Sequence, residues 1–118
     1  MPRQLSAVPL LEPELEVELS LNEKIELYAA KHGAPVWLMH HIVKNESSYN
    51  PNALGDTNYL CRRTGEIAPS RGLIQINKCW WPVEYEKAGD PDFALNFLAS
   101  KLSEGKCYLW STCPYNQK

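Results

Sequence analysis

The sequence predicts a small α+β domain, mainly α, with a short β element between two pairs of helices. Apolar residues recur at helical spacing before residue 47 and again after residue 90, while the stretch between is broken by Gly and Pro. With 118 residues, the chain can build one domain around a real core but hardly two. Its 44% hydrophobic and 22% charged residues are an ordinary globular balance, so a packed core is affordable.

Residues 1–19 contain Pro2, Pro9 and Pro13 and then alternate Glu with Leu or Val. They read as a flexible acidic N-terminal segment, with an edge strand as the alternative. The folded domain is expected over residues 20–118. Ser20 and Glu23 form a Ser-x-x-Glu capping box, and Leu21, Ile25, Tyr28 and Ala29 follow at helical spacing up to Gly33. Pro35 is expected at the first position of a second helix running to Glu46, and Asn50-Pro51 marks the turn after it. Tyr59-Leu60-Cys61 and Glu66-Ile67-Ala68 read as the arms of a small hairpin around Thr64-Gly65. A short helix from Pro82 should end at Gly89. A longer one should start at the Asp90 cap with Pro91 first, bury Ala94, Leu95, Leu98 and Leu102, and end at Gly105. The tail from Lys106 carries Cys107, Trp110 and Cys113 and should fold back onto the body.

The formal net charge is −2, which gives no sign of a nucleic-acid binder. Glu12, Glu14, Glu16 and Glu18 against Arg3 make the first 19 residues acidic, and of the 12 basic and 14 acidic residues this leaves the rest near +1. A slightly basic body suits a polyanionic cell wall, although one charge decides nothing.

Cys61, Cys79, Cys107 and Cys113 include no Cys-x-x-Cys pair and have no neighbouring histidine, which argues against a zinc knuckle or a redox pair. An even number in a short chain fits two disulfides and an oxidising compartment; reduced core cysteines in a cytosolic protein are the alternative. Of the three possible pairings, the sequence-local one is expected: Cys61–Cys79 around the irregular middle segment and Cys107–Cys113 across the tail. No run approaches the ~20 apolar residues of a membrane span. Met1 to Leu19 has no apolar core of a signal peptide. An exported protein of this sequence would have lost its leader or travel by a phage holin or similar route. The expected location is secreted, periplasmic or cell-wall associated.

Glu46 is the residue to explain. It follows Ile42 by four residues, Val43 by three and Met39 by seven, so it continues the apolar stripe of its helix. Burial there disfavours the charged form, and a glycosidase needs a carboxylic acid still protonated near neutral pH. The alternative is a helix-end Glu turned to solvent or paired with Lys44 or Arg62.

Its context is more specific. Glu46-Ser47-Ser48-Tyr49-Asn50-Pro51, then Gly55-Asp56, then Ser70-Arg71-Gly72-Leu73-Ile74-Gln75-Ile76-Asn77 resembles the transglycosylase SLT domains and the wider goose-type lysozyme group. The resemblance continues through Trp81-Pro82 and Asp90-Pro91 and covers roughly Leu21 to Cys113. It implies a lysozyme-like fold with the β element beside a cleft. It also implies cleavage of the β-1,4 bond between N-acetylmuramic acid and N-acetylglucosamine in peptidoglycan.

By the same resemblance Glu46 matches the general acid, which also serves as base, and Ser47 the serine that tethers the helix end. Gln75 is expected to bind N-acetyl or hydroxyl groups of the sugar. Ser70 is expected at the cleft wall, with Asn77 beside the substrate in the same segment. Asp56 is similar to a secondary acid of goose-type lysozymes that holds a water opposite the sugar; the alternative is a turn Asp bonded to its own backbone. One departure stands out. The family's later Y-N-A-G motif, whose Tyr sits near the catalytic Glu, is missing; Tyr115-Asn116-Gln117 lacks its Gly, so that role is not transferred to Tyr115.

Trp80 is a candidate for stacking on a sugar face, while Trp81, beside Pro82, is expected in the core. His40 and His41 are adjacent on a helix, so their side chains diverge and cannot chelate one ion together. The expected activity is that of a lytic transglycosylase, in which the muramyl 6-hydroxyl closes a 1,6-anhydro ring. A muramidase using Asp56 and water is the alternative, and a catalytically silent wall-binding module is the rival from another class. No metal or organic cofactor is required, no nucleic-acid partner is expected, and the protein should act as a monomer on peptidoglycan glycan strands.

Overall fold

A computed structural model describes residues 18–116. The flexible acidic segment expected over residues 1–19 lies almost wholly outside the described residues. The rest is a mainly helical α+β domain, in the element order that the sequence predicts.

Helix α1 spans Leu21–His32 and starts with the expected capping box: the Ser20 hydroxyl accepts from the Glu23 N–H, and the Glu23 carboxylate accepts from the Ser20 N–H. Helix α2 spans Val36–Ser47. Pro35 stands one residue outside it, as the N-cap in extended conformation, a correction to its expected place as the first helical residue. The Pro35 carbonyl still accepts from the Met39 N–H, so the ring sits where a missing donor costs nothing. The chain leaves α2 sharply, with Ser48 and Tyr49 both at positive φ.

The middle segment contains more β structure than the hairpin the sequence suggests. Strands β2 (Leu60–Cys61) and β3 (Glu66–Ile67) do form that hairpin, with Leu60 opposite Ile67. A second antiparallel sheet joins β1 (Leu54–Gly55), β4 (Ser70–Arg71) and β5 (Ile76–Asn77) in the order β1-β4-β5. The tight turn between β4 and β5 carries Gly72, Leu73, Ile74 and Gln75, and drives Leu73 and Ile74 fully into the core.

Helix α3 (Pro82–Tyr85) stops earlier than expected, and turns carry the chain to Gly89. Arg71 supplies a physical reason. Its guanidinium donates to the carbonyls of Tyr85 and Glu86 at 3.1 and 3.2 Å. Side-chain donors of this kind can satisfy the carbonyls that end a helix. Helix α4 (Pro91–Ser103) begins at Asp90, whose carboxylate accepts from the Asp92 N–H, and buries Ala94, Leu95, Leu98, Ala99 and Leu102. It packs on α1, where Asp92 accepts from both Lys24 and Tyr28. A 3-10 turn at Cys107–Leu109 leads into the tail, which folds back as expected and buries Trp110.

Both expected disulfides are present, Cys61–Cys79 and Cys107–Cys113. The first ties the hairpin to the end of β5 and lies in its own small cluster with Ala68, apart from the main core. Removing it with Cys61→Ser/Cys79→Ser should cost about 3 kcal/mol of unfolding free energy, from the loop-closure entropy returned to the unfolded chain. An unchanged urea midpoint would contradict this.

Gly72 is the second sensitive point. Its φ is +89°, and a Cβ there would come within 2.0 Å of the Ala88 carbonyl oxygen. Gly72→Ala should therefore cost about 3 kcal/mol or more, through combined backbone strain and clash. Gly65→Ala, also at positive φ but with open space around it, should cost about 1 kcal/mol. Equal losses in chemical denaturation would contradict the close-approach argument.

Candidate active site

Glu46 sits in the last turn of α2, one helical turn beyond the fully buried Ile42 and Val43, and is itself half-buried. Its Oε2 accepts a hydrogen bond from the Thr112 hydroxyl at 2.8 Å. No salt bridge engages it among the described residues, so the pairing with Lys44 or Arg62 is not formed. Burial, as the largest effect, pushes its carboxyl above the ordinary range; the Thr112 hydroxyl opposes this, the nearby Asp56 charge adds to it, and the Thr112 backbone N–H opposes it more weakly. A carboxyl held partly out of water, with a second carboxylate's charge acting on it, has its neutral form favoured.

Asp56 follows β1 with φ +51° and an exposed side chain. Its Oδ2 accepts from the Ser70 hydroxyl at 2.5 Å. Asp56 is thus a turn residue anchored across the sheet, and it also acts electrostatically on Glu46.

The polar residues of the β4–β5 segment are occupied internally. Ser70 is 2% exposed, with its hydroxyl donating to Asp56 and accepting from the Asn77 amide. Asn77 also donates to the Ala68 carbonyl and accepts from the Cys79 N–H. The expected substrate contacts of Ser70 and Asn77 are replaced by these: both residues hold the sheet and Asp56 in place. The Gln75 amide nitrogen donates to the carbonyls of Ala53 and Gly72, at 3.2 and 2.9 Å, and its Oε1 fills the space above Gly55. Gln75 therefore clamps the loop before β1 to the turn between β4 and β5. The adjoining pocket, lined in part by Gln75, Asn77, Trp81 and Trp110, holds about 40 Å³ and excludes a sugar ring. Neither Glu46 nor Asp56 lines it.

Ser47 donates to the Val43 carbonyl, which fixes it against its own helix. Trp80 is 57% exposed, with the Arg63 guanidinium 5.7 Å from its ring centre, and keeps a face for stacking. Trp81 packs edge-on against Phe97 at the core. The two histidines diverge: His40 bonds the Tyr49 hydroxyl and His41 the Thr112 carbonyl. Tyr115 lies against Trp37 instead, 6.0 Å between ring centres. Among the described residues no three His, Cys, Asp or Glu side chains gather as a metal site.

Thr112 is the site residue that sequence reasoning missed. It reaches Glu46 across 66 residues of chain, from an irregular tail with no periodicity to reveal which way its side chain points.

Comparison with family models, curated proteins and solved structures found no match.

The raised Glu46 carboxyl makes a prediction about stability. A group whose folded pKa lies above its unfolded value favours folding fully below the unfolded pKa and loses that contribution as pH rises through the folded one. Charged Glu46 is thus a cost near neutrality. Glu46→Gln, which can still accept from Thr112, should raise Tm at pH 7, and the gain should vanish below about pH 4.5, the ordinary Glu value. A Tm difference independent of pH would contradict the assigned environment.

Proposed function

We propose that this protein is a lysozyme-like enzyme that cleaves the β-1,4 bond between N-acetylmuramic acid and N-acetylglucosamine in peptidoglycan, as a lytic transglycosylase. The observation that carries the reading is the half-buried Glu46 carboxyl at the end of α2, free of any salt bridge among the described residues and with its carboxyl pushed up by burial. It stands within the Glu-Ser-x-x-Asn-Pro and Ser-x-Gly-Leu-Ile-Gln-Ile pattern.

In this reading Glu46 gives its proton to the glycosidic oxygen as the bond to the muramyl C1 breaks, and N-acetylglucosamine leaves with a new hydroxyl. The resulting carboxylate then takes the proton of the muramyl 6-hydroxyl, whose oxygen bonds to C1 and closes the 1,6-anhydro ring. The acid is regenerated and no water is consumed. Neither step requires a cofactor. Trp80 offers an exposed ring for a sugar face.

A muramidase is the second reading, and one observation favours it. The Asp56 charge acts on the Glu46 carboxyl and favours its neutral form. With Oδ2 taken by Ser70, Oδ1 would hold the attacking water. A silent wall-binding module would need no ionisable group at position 46.

Two disulfides suit an oxidising compartment outside the cytosol, where peptidoglycan is found. No helix among the described residues is long and apolar enough to cross a membrane.

Glu46→Gln should keep the fold and lower the rate of cell-wall clearing by a factor of about 10²–10⁴ or more. Clearing by this variant at near wild-type rate would rule out the assignment. Asp56→Asn separates the two chemistries: a transglycosylase loses little beyond local turn stability, whereas a muramidase that depends on Asp56 loses its activity.

A further inference from the structure

The tail segment around Thr112 is clamped on three sides. Trp110 is buried, and its indole N–H donates to the Ile74 carbonyl at 2.8 Å. The Asn116 amide donates to the Trp110 carbonyl. Cys113, next to Thr112, is buried and crosslinked to Cys107. Thr112 itself is held by α2 at two atoms. Its carbonyl accepts from His41 Nε2 at 3.1 Å, which requires the proton on that ring nitrogen because a carbonyl offers no donor. Its hydroxyl donates to Glu46 Oε2.

We propose that Thr112, presented by the Cys107–Cys113 loop, is the positioning residue for the Glu46 carboxyl: its hydroxyl occupies Oε2 and leaves Oε1 as the oxygen that carries the transferable proton. A hydroxyl donating to one carboxyl oxygen favours the lone pair there, so the proton of the neutral acid resides on the other oxygen. The bond also fixes the rotation of the carboxyl plane, and so the direction in which the proton is offered. Transfer of that proton to a glycosidic oxygen rests on the function proposed above; the contact and its electrostatic effect do not.

Few other ionisable groups surround the carboxyl. Asp56 faces it from the loop after β1, and His41 and exposed Lys44 lie on its own helix. Between Trp110 and Cys113 the tail brings none. Because Thr112→Val retains the backbone carbonyl that His41 bonds and the backbone N–H that also acts on Glu46, the variant removes the hydroxyl contact alone.

The test follows the Glu46 carboxyl carbon by NMR titration in the intact protein, alongside the pH dependence of glycan cleavage. Thr112→Val should move the carboxyl midpoint upward, because burial is then less opposed, and Thr112→Ser should restore it. The alkaline limb of the rate profile should move the same way, with kcat falling about tenfold and KM little changed, the loss of one hydrogen bond at the reacting group. Cys107→Ser/Cys113→Ser should also move the midpoint upward. An unmoved midpoint in Thr112→Val overturns the proposal, and a wild-type midpoint in the double cysteine variant overturns the part assigned to the crosslink. An upward shift in Thr112→Val, when wild-type protein releases no glycan product, supports the positioning contact and overturns the glycosidase reading instead.

Discussion

The indole N–H of Trp110 donates to the Ile74 carbonyl inside the core, and the architecture of the site depends on that contact. Ile74 lies in the turn between β4 and β5, so the bond ties the tail to the β element at a point where both are buried. A buried indole without an acceptor would cost about 1–3 kcal/mol, so the tail has one strongly preferred seat. From that seat Thr112 reaches back to α2 and meets Glu46, while the turn beneath holds Gln75 and, through β4, Ser70 and Asp56. Three segments far apart in sequence thereby meet around one carboxyl.

Internal polar contacts make that meeting rigid. Asp56, Ser70, Asn77 and Cys79 form a continuous chain of hydrogen bonds across the small sheet, and the Gln75 amide locks the neighbouring loop. Two-residue strands have too few ladder bonds to be stable alone. Side-chain bonds and the Cys61–Cys79 crosslink supply what the ladder lacks. Several residues between Ser70 and Cys79 thus act by holding the surroundings of Glu46 in place, with their polar groups turned to one another.

Much of this was legible in sequence where local chemistry decides the outcome. The Ser20–Glu23 box, the Asp90 cap, the stripe from Ala94 to Leu102 and the hairpin around Gly65 all depend on residues within a turn or two of one another. The spacing of Glu46 to Ile42 and Val43 put it on the apolar stripe of its helix but left open a side chain turned to solvent, and only the packed tail decides between them. The three-stranded sheet was not legible, because two-residue strands leave no alternation to detect and their pairing spans up to 17 residues, as between Leu54 and Arg71. The early end of α3 was hidden for the same reason: Arg71, from another element, takes its carbonyls. Thr112 was the furthest out of reach, since a threonine in an irregular tail becomes meaningful only when tertiary structure brings it to Glu46.

Scission of the peptidoglycan glycan backbone by Glu46 is the proposal on which the reading of the site turns. Mass spectrometry of the fragments released from purified peptidoglycan by the wild-type protein tests it most directly. The expected products are muropeptides ending in 1,6-anhydro-N-acetylmuramic acid. Reducing ends would assign the chemistry to water and Asp56, and the absence of any released glycan fragment would contradict the claim.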